Sequence, residues 1–501
     1  MEQIRLYAND LLYLLPELSL VITAILLSVV DMFLPKVWKK SIIGWLSLIG
    51  IIVSAVFVVM SLNPEQTIQL LNQSYRIDDF SNILKLILLL GTGLVILMSL
   101  GYEKEEEITN LGEYYYFLLP AVLGGMIMSS SGDLITLFVG LELLSITSYL
   151  LVAINKKNRD SNESAFKYLV MGGISSAIIL YGMSFLYGIS GSTNIAVISE
   201  AINNDFENYQ GFIYLSFFMI IAGFGFKIAA APFHNWAPDV YQGAYTPVSA
   251  FLAVVSKIAG FAILFRVIYS LLATSNIENL TKDVTLTLSI LAASAMVIGN
   301  VLALNQKNTK RLLAYSGVAN AGYLLVPLGI YFSMTHSGNF SEFIYYAIAY
   351  LFMNIGAFAV FMIIERSSGE QEIRGFAGLY YRAPYTATAM VLIILSLAGI
   401  PVTGGFFGKF YILLGTMQTQ TYWLGAVMIA SSVISFYYYF SIVRQMFMRA
   451  DFDNREVKVP YPLGITVWIC ALVSVGMGMF PQAILSYIHD IFTIVDDLFV
   501  R

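Results

Sequence analysis

The stretch Gly211–Gly243, GFIYLSFFMIIAGFGFKIAAAPFHNWAPDVYQG, decides how this chain is read. As one helix its 33 residues would extend about 50 Å, against a bilayer core of about 30 Å. The helix must therefore break or fold back. Pro232 removes a backbone donor, and Pro238 and the pair Gly223 and Gly225 weaken the helix on either side. Residues 386–419 repeat the pattern: in GIPVTGGFFGKF, Pro401, Gly404 and Gly405 precede Lys409. Each break has a lysine close by, Lys227 in the first and Lys409 in the second. Paired interrupted segments in two parts of a membrane chain point to an ion pathway, because backbone freed from a helix cannot face lipid.

The rest of the chain gives these two segments their setting. Of 501 residues, 58% are hydrophobic and 12% charged, with mean hydropathy +0.75, which defines an all-α polytopic membrane protein. Apolar runs predict crossings near 11–34, 41–62, 80–101, 114–131, 134–154, 164–188, 211–231, 248–272, 284–304, 312–333, 342–365, 386–419, 423–446 and 463–480, fourteen in all. The tail 481–501, with Asp490, Asp496 and Asp497 among apolar residues, reads as an interfacial helix. The first apolar stretch contains Glu17 and lacks a basic flank and a cleavage site, so it reads as a retained helix.

Charge placement tests this count independently. Alternate loops carry Lys36, Lys39, Lys40, Lys104, Lys156, Lys157, Arg159, Lys307, Lys310, Arg311, Arg366, Arg374, Arg382, Arg444, Arg449, Arg455 and Lys458; the opposite loops carry Arg76 and Lys282. That asymmetry predicts a multi-pass membrane protein with both termini on the outer side and the basic loops in the cytoplasm, or the topological equivalent in an organelle. The seventh crossing then runs inward and the twelfth outward. Crossings 4–8 and 9–13 form two inverted five-helix repeats, with the seventh and twelfth broken. The expected division is 1–110 for three leading crossings, 111–275 and 276–450 for the repeats, and 451–501 for the last crossing and the tail.

Composition also excludes chemistry. The net charge of −5 comes from scattered surface acids such as Glu103 and gives no basis for a nucleic-acid partner. One cysteine, Cys470, cannot hold an iron–sulfur cluster, and no phosphate-binding glycine loop supports use of ATP. The three histidines, His234, His336 and His489, are far apart; only His234 has a distinctive context. No cofactor is expected in this chain, so its energy must arrive as an ion gradient or through partners.

Four ionisable residues lie inside apolar segments: Glu142, Lys227, Lys257 and Lys409. A charge at the middle of a spanning helix costs about 2.5–3.5 kcal/mol on the lenient insertion scale, which makes each a functional candidate. Lys257 lies nine residues from the start of its helix, about 14 Å in and beyond easy snorkelling. Glu142 has Ser145 and Tyr149 on its face. Lys85 and Arg266, near helix ends, read as snorkelling; Glu17 and Asp31 receive no transport role. Trp236, Tyr241 and Tyr245 read as an interfacial belt. Ser316, Asn320 and Tyr323, like Ser431, Ser435 and Tyr438, fall on helix stripes that either line a hydrated path or join helices by hydrogen bonds.

The strings APFHNWAPDVYQGAYTPVSAFLAVVSKIAG (231–260) and SLAGIPVTGGFFGKFYI (396–412) resemble the antiporter-like membrane subunits of the proton-pumping NADH–quinone oxidoreductases, the respiratory complex I family. VYQG followed by TP favours the subunit N branch over L and M. Cation/proton antiporter subunits belong to the wider group. The resemblance spans the fourth to the thirteenth crossing. It implies that Glu142 in GLELLSITSYL and Lys227 in GFGFKIAAAPFH form an input pair, that Lys257 in VVSKIAG is the midpoint and that Lys409 in GGFFGKF is the output. Lys167 in SAFKYL resembles a further functional lysine, although it also has the position of a snorkelling one, and His234 is either a proton relay or a cap for backbone freed by Pro232. PVTGG at 401–405 departs from the more usual proline-rich start of that break, which leaves the backbone shape there open.

A dry site disfavours an ammonium and a nearby carboxylate favours it, so motion of Glu142 relative to Lys227 would load and unload a proton. The expected function is proton translocation through this row, driven by electron transfer to quinone in other subunits. Quinone, flavin and iron–sulfur clusters are expected in those partners, and the neighbours implied are the antiporter-like subunit M and the small subunits K and J. The alternatives are a cation/proton antiporter subunit using the same lysines and a structural membrane-arm subunit.

Overall fold

The computed structural model describes residues 8–34, 40–62, 67–102, 110–272, 277–330, 338–448 and 457–491. Lys36, Lys39, Glu103, Lys104, His336, Arg449, Arg455, Asp496 and Asp497 lie outside them. The chain begins with α1 (Ala8–Tyr13), α2 (Leu15–Phe33) and α3 (Ser41–Met60), then a hairpin of β1 (Ile68–Leu70) and β2 (Tyr75–Ile77) in antiparallel register, Ile68 opposite Ile77. Next come α4 (Asp79–Leu100), α5 (Leu111–Ser130), α6 (Leu134–Val152), α7 (Arg159–Ser190) and α8 (Ile195–Lys227). The middle of the chain holds α9 (Trp236–Gly243), α10 (Thr246–Phe251), a π-helical turn over Leu252–Ser256, α11 (Lys257–Leu272), α12 (Glu278–Ala303), α13 (Thr309–Gly329) and α14 (Asn339–Ser368). It closes with α15 (Leu379–Arg382), α16 (Pro384–Ala398), α17 (Gly404–Gln418), α18 (Tyr422–Met448), α19 (Tyr461–Met479) and α20 (Pro481–Ile491).

Thirteen helices among the described residues are long and apolar enough to cross a membrane. The one remaining expected crossing, the twelfth, is the interrupted pair α16 and α17, each half too short alone. Both predicted breaks are present. The first lies at residues 228–235, between α8 and α9, and the second at 399–403. Side chains set the helix starts: Asp78 accepts from Ser81 N ahead of α4, Asp133 from Thr136 N ahead of α6, and Thr403 from Phe406 N ahead of α17.

The seventh crossing starts earlier than hydropathy suggests. α8 begins at Ile195, capped by Asn194, and runs through the polar stretch around NNDFENYQ, with a non-helical residue at Tyr209. A hydropathy window registers only its apolar second half. α7 likewise extends beyond 164–188 at both ends.

Burial sorts the helices into layers. α2 and α3 carry exposed apolar residues along one side, among them Ile22, Leu26, Ile49 and Val56, as a lipid-facing layer requires. The continuous helix from Thr246 to Leu272 is buried along its whole length, and α13 and α14 nearly so. Lys257 is therefore carried by a helix enclosed along its whole length.

Two expectations about charges fail here. Lys85 and Arg266 do not snorkel; both are buried. Lys85 Nζ is 2.9 Å from Glu17 Oε1 and donates to the Tyr75 hydroxyl at 3.1 Å. Arg266 grips Asp78 with two parallel bonds, Nη1 to Oδ2 at 2.9 Å and Nη2 to Oδ1 at 2.8 Å, while Arg76 Nε lies 3.7 Å from Oδ2. The partners come from α2, the hairpin and the residue before α4, where the guanidinium and ammonium find carboxylates instead of water. Asp31 pairs with Lys40 at 2.5 Å. Lys310, expected in a loop, is buried 3.9 Å from Glu365 and donates to the Ala244 carbonyl at 3.0 Å.

Candidate functional site

The first break is closed by hydrogen bonds from its surroundings. Ala230 N donates to Gly225 O at 2.8 Å, Trp236 Nε1 to Phe226 O at 3.0 Å, and Ser294 of α12 to Ala231 O at 2.7 Å. Freed backbone is thus satisfied by neighbouring protein, the condition for non-helical chain at membrane depth. Trp236, Tyr241 and Tyr245 are buried around this break rather than forming an interfacial belt. Trp236 stacks on Tyr168 at 4.6 Å, and Tyr168 meets Tyr149 edge-on at 4.8 Å, tying the break to α6 and α7.

Lys227 is the last residue of α8, where the helix dipole favours a cation. Its Nζ donates to Ser145 Oγ at 3.0 Å. Ser145 lies one turn along α6 from Glu142. Lys227 therefore contacts the carboxylate's helix through a hydroxyl, while Glu142 Oε1 has no hydrogen-bond partner among the described residues.

Lys257 opens α11 immediately after the π-helical turn. Such turns displace backbone hydrogen bonds and recur at functional sites; here the Tyr350 hydroxyl of α14 donates to the Ala253 carbonyl at 2.8 Å. Lys257 Nζ makes no hydrogen bond to described residues and lies 5.9 Å from the centre of the Tyr241 ring. His234, in the first break, faces Tyr315 of α13 at 6.2 Å and lies within electrostatic reach of Lys257. Its Nδ1 has no partner among the described residues.

Beyond Lys257, one side of α13 is polar. Ser316 Oγ shares a hydrogen bond with the Tyr439 hydroxyl, Asn320 Nδ2 donates to Ser316 Oγ at 3.4 Å, and the Tyr346 hydroxyl donates to Asn320 Oδ1 at 3.0 Å. Nearly one turn further along, Tyr323 bonds Ser432 at 3.0 Å, and its ring centre lies 4.7 Å from Lys409 Nζ. Lys409 also donates to the Leu397 carbonyl at 3.1 Å, at the C-terminal end of α16. The α13 stripe thus joins helices by hydrogen bonds, to α18 through Tyr439 and Ser432 and to α14 through Tyr346. In the second stripe, Tyr438 donates to Asn300 Oδ1 at 2.9 Å and Ser435 bonds back to its own helix.

Lys167 stands apart from this row. Its side chain is 44% exposed and holds Glu163 at 2.8 Å and Asp239 at 2.9 Å. Arg311 reaches the other Asp239 oxygen at 2.6 Å. The second break takes its shape from Gly399 at φ 76° and Val402 at φ 75°, a left-handed valine that PVTGG does not announce. Sequence reasoning also missed the Lys310–Glu365 pair, in which Glu365 accepts from Thr246 at 2.6 Å. Its only signal was an acid placed among apolar residues near the end of the eleventh crossing.

A many-helix membrane chain with two broken crossings and a lysine at each defines an antiporter-like membrane subunit. A family model described as "NADH:quinone oxidoreductase/Mrp antiporter, TM" matches residues 131–435. A relative named NADH-quinone oxidoreductase subunit N, from Paenibacillus sp. (strain JDR-2), is 51% identical over 519 residues, covering 100% of both chains. The chain belongs to the NADH-quinone oxidoreductase subunit N family. A chain of respiratory complex I from Thermus thermophilus is similar at 27% identity and TM-score 0.77, over 94% of this chain and 98% of that one. The fold is also shared with a chain of the Mrp complex from Dietzia sp. DQ12-45-1b, at 18% identity and TM-score 0.82, over 97% of each.

Proposed function

We propose that this chain is a proton-translocating membrane-arm subunit of an NADH–quinone oxidoreductase, in which a buried row of Glu142, Lys227, Lys257 and Lys409 carries the charge movement. The observation that carries the reading is the polar side of α13, which leads from Lys257 past Ser316, Asn320 and Tyr346 to Tyr323 and Lys409. Family membership supplies the reaction it serves.

Glu142 and Lys227 form the input pair, coupled through Ser145, and their separation controls whether the ammonium is favoured. Lys257 is the midpoint and Lys409 the output. His234, which faces Tyr315 of α13 near Lys257, relays protons at the first break. Lys167 acts at the rim, where its pairing with Asp239 anchors α9 to α7. The two halves correspond to inverted repeats over 111–275 and 276–450, with both termini on the outer side of the cell membrane. Each unit charge moved against 100 mV requires about 2.3 kcal/mol, which electron transfer to quinone through flavin and iron–sulfur partners supplies. Its neighbours are the antiporter-like subunit M and the small subunits K and J.

The test is Lys257→Ala in the assembled complex. Protons moved per electron should fall while NADH oxidation by quinone continues. An unchanged ratio in a fully assembled complex would refute the assignment, and sodium-stimulated proton release by the isolated membrane arm would favour the antiporter alternative.

A further inference from the structure

Each of the three row lysines packs against a glycine of another element. A Cβ on Gly260 would stand 3.2 Å from Lys227 Cγ, and one on Gly399 would stand 3.3 Å from Lys409 Cδ. At Gly317, on α13, it would stand 2.8 Å from Lys257 Nζ. There the Tyr350 hydroxyl, at 3.3 Å, is the other neighbour within 4 Å outside the helix's own backbone.

Gly317 differs from the packing glycines around it. A Cβ on Gly322 would meet Ala292 O at 2.7 Å, and one on Gly299 would meet Ala319 N at 2.5 Å. Those glycines let the α12 and α13 backbones approach, and a methyl would push the helices apart. The space beside Gly317 is taken by the ends of two polar side chains instead. Close helix approach does not account for this glycine, whereas access of the ammonium to α13 does.

We propose that Gly317 is a positioning residue for Lys257. Its missing side chain lets the ammonium lie against α13 beside the Tyr350 hydroxyl, on the turn that also carries Ser316 and Asn320. The lysine arrives from α11 with no hydrogen-bonding partner among the described residues, so its position is set by the space available. A methyl at 317 fills that space. Because the displaced group is the end of a flexible chain, the ammonium moves and the helices stay. This rests on Lys257 being the midpoint of the row.

The test compares Gly317→Ala, Lys257→Ala and the double variant in the complete complex reconstituted in liposomes. Assembly, NADH oxidation and protons per electron are read for each. Gly173→Ala, whose added Cβ would meet nothing within 4 Å, is the control. The expected result is that Gly317→Ala assembles and keeps NADH oxidation within about twofold of wild type. Its proton ratio falls toward that of Lys257→Ala, and the double variant falls no further. A purely structural glycine would instead add its own loss in the Lys257→Ala background. The proposal is overturned if Gly317→Ala leaves the ratio unchanged while Lys257→Ala lowers it, if the double variant loses more than Lys257→Ala, or if Gly317→Ala prevents assembly. If Lys257→Ala itself leaves the ratio intact, the midpoint assignment fails instead, and this inference fails with it.

Discussion

Replacing Asp78 by asparagine isolates the value of the buried ion pair that joins α11 to the start of α4. The substitution conserves volume, so no cavity forms, and asparagine is as good a helix cap as aspartate, so the bond from Ser81 N at 2.8 Å survives. What is lost is the charge facing Arg266, held at 2.8 and 2.9 Å, and Arg76, at 3.7 Å, with all three groups buried. Removing one partner of a buried pair costs about 3–5 kcal/mol, because the other charge stays desolvated. At 1.4 kcal/mol per tenfold, this lowers the folded-to-unfolded ratio by a factor of roughly 10²–10³ or more. The assay is SDS-induced unfolding of the chain in mixed micelles, run as a cycle with Arg266→Gln. The double variant should be less destabilised than the sum of the singles by about 1–3 kcal/mol. A loss below about 1 kcal/mol for Asp78→Asn, or strict additivity of the two changes, would refute the claim that this pair couples the helices.

Val402 offers a change of opposite sign. A branched residue at φ 75° is strained, so Val402→Gly should stabilise the chain by about 1 kcal/mol in the same titration, after allowing for the freer unfolded chain. Asp239 predicts a pH dependence. Burial pushes its carboxyl up, but bonds from Lys167 and Arg311 outweigh this and hold it below the usual carboxylate range. A depressed carboxyl stabilises above its unfolded value and loses that contribution as pH falls through its folded value. Asp239→Asn should therefore destabilise the chain at pH 7, by less than about 1 kcal/mol because the pair is partly exposed, seen as a lower thermal midpoint, and the difference should close in acid.

The fold was legible because its determinants are local. Length against bilayer thickness required the break in Gly211–Gly243, and alternating basic loops counted the crossings. The lysines of the row were legible for the same reason: a charge in an apolar run stands out by itself. What stayed hidden depends on distant partners. Lys85 and Arg266 look like snorkelling residues until Glu17 and Asp78 are brought to them, the latter across 188 positions. Lys310 looks like a loop charge until Glu365 faces it. Ser145 was visible on the face of Glu142, but its bond from Lys227 was not, since spacing along one helix does not show what arrives from another. The left-handed Val402 had no signal at all, because nothing in PVTGG favours that conformation at valine.

The enclosure of the helix from Thr246 to Leu272 bears on how the protein meets its membrane. Bilayers vary in thickness, and a helix in contact with lipid answers by tilting or by stretching the lipid around it. Here that adjustment falls on helices whose apolar sides are exposed, α2, α3, α7 and α18 among them, while the helix bearing Lys257 is buried within the protein. Thinning or thickening the membrane should therefore reach the outer helices first and leave the spacing of Lys257, Gly317 and Tyr350 unchanged.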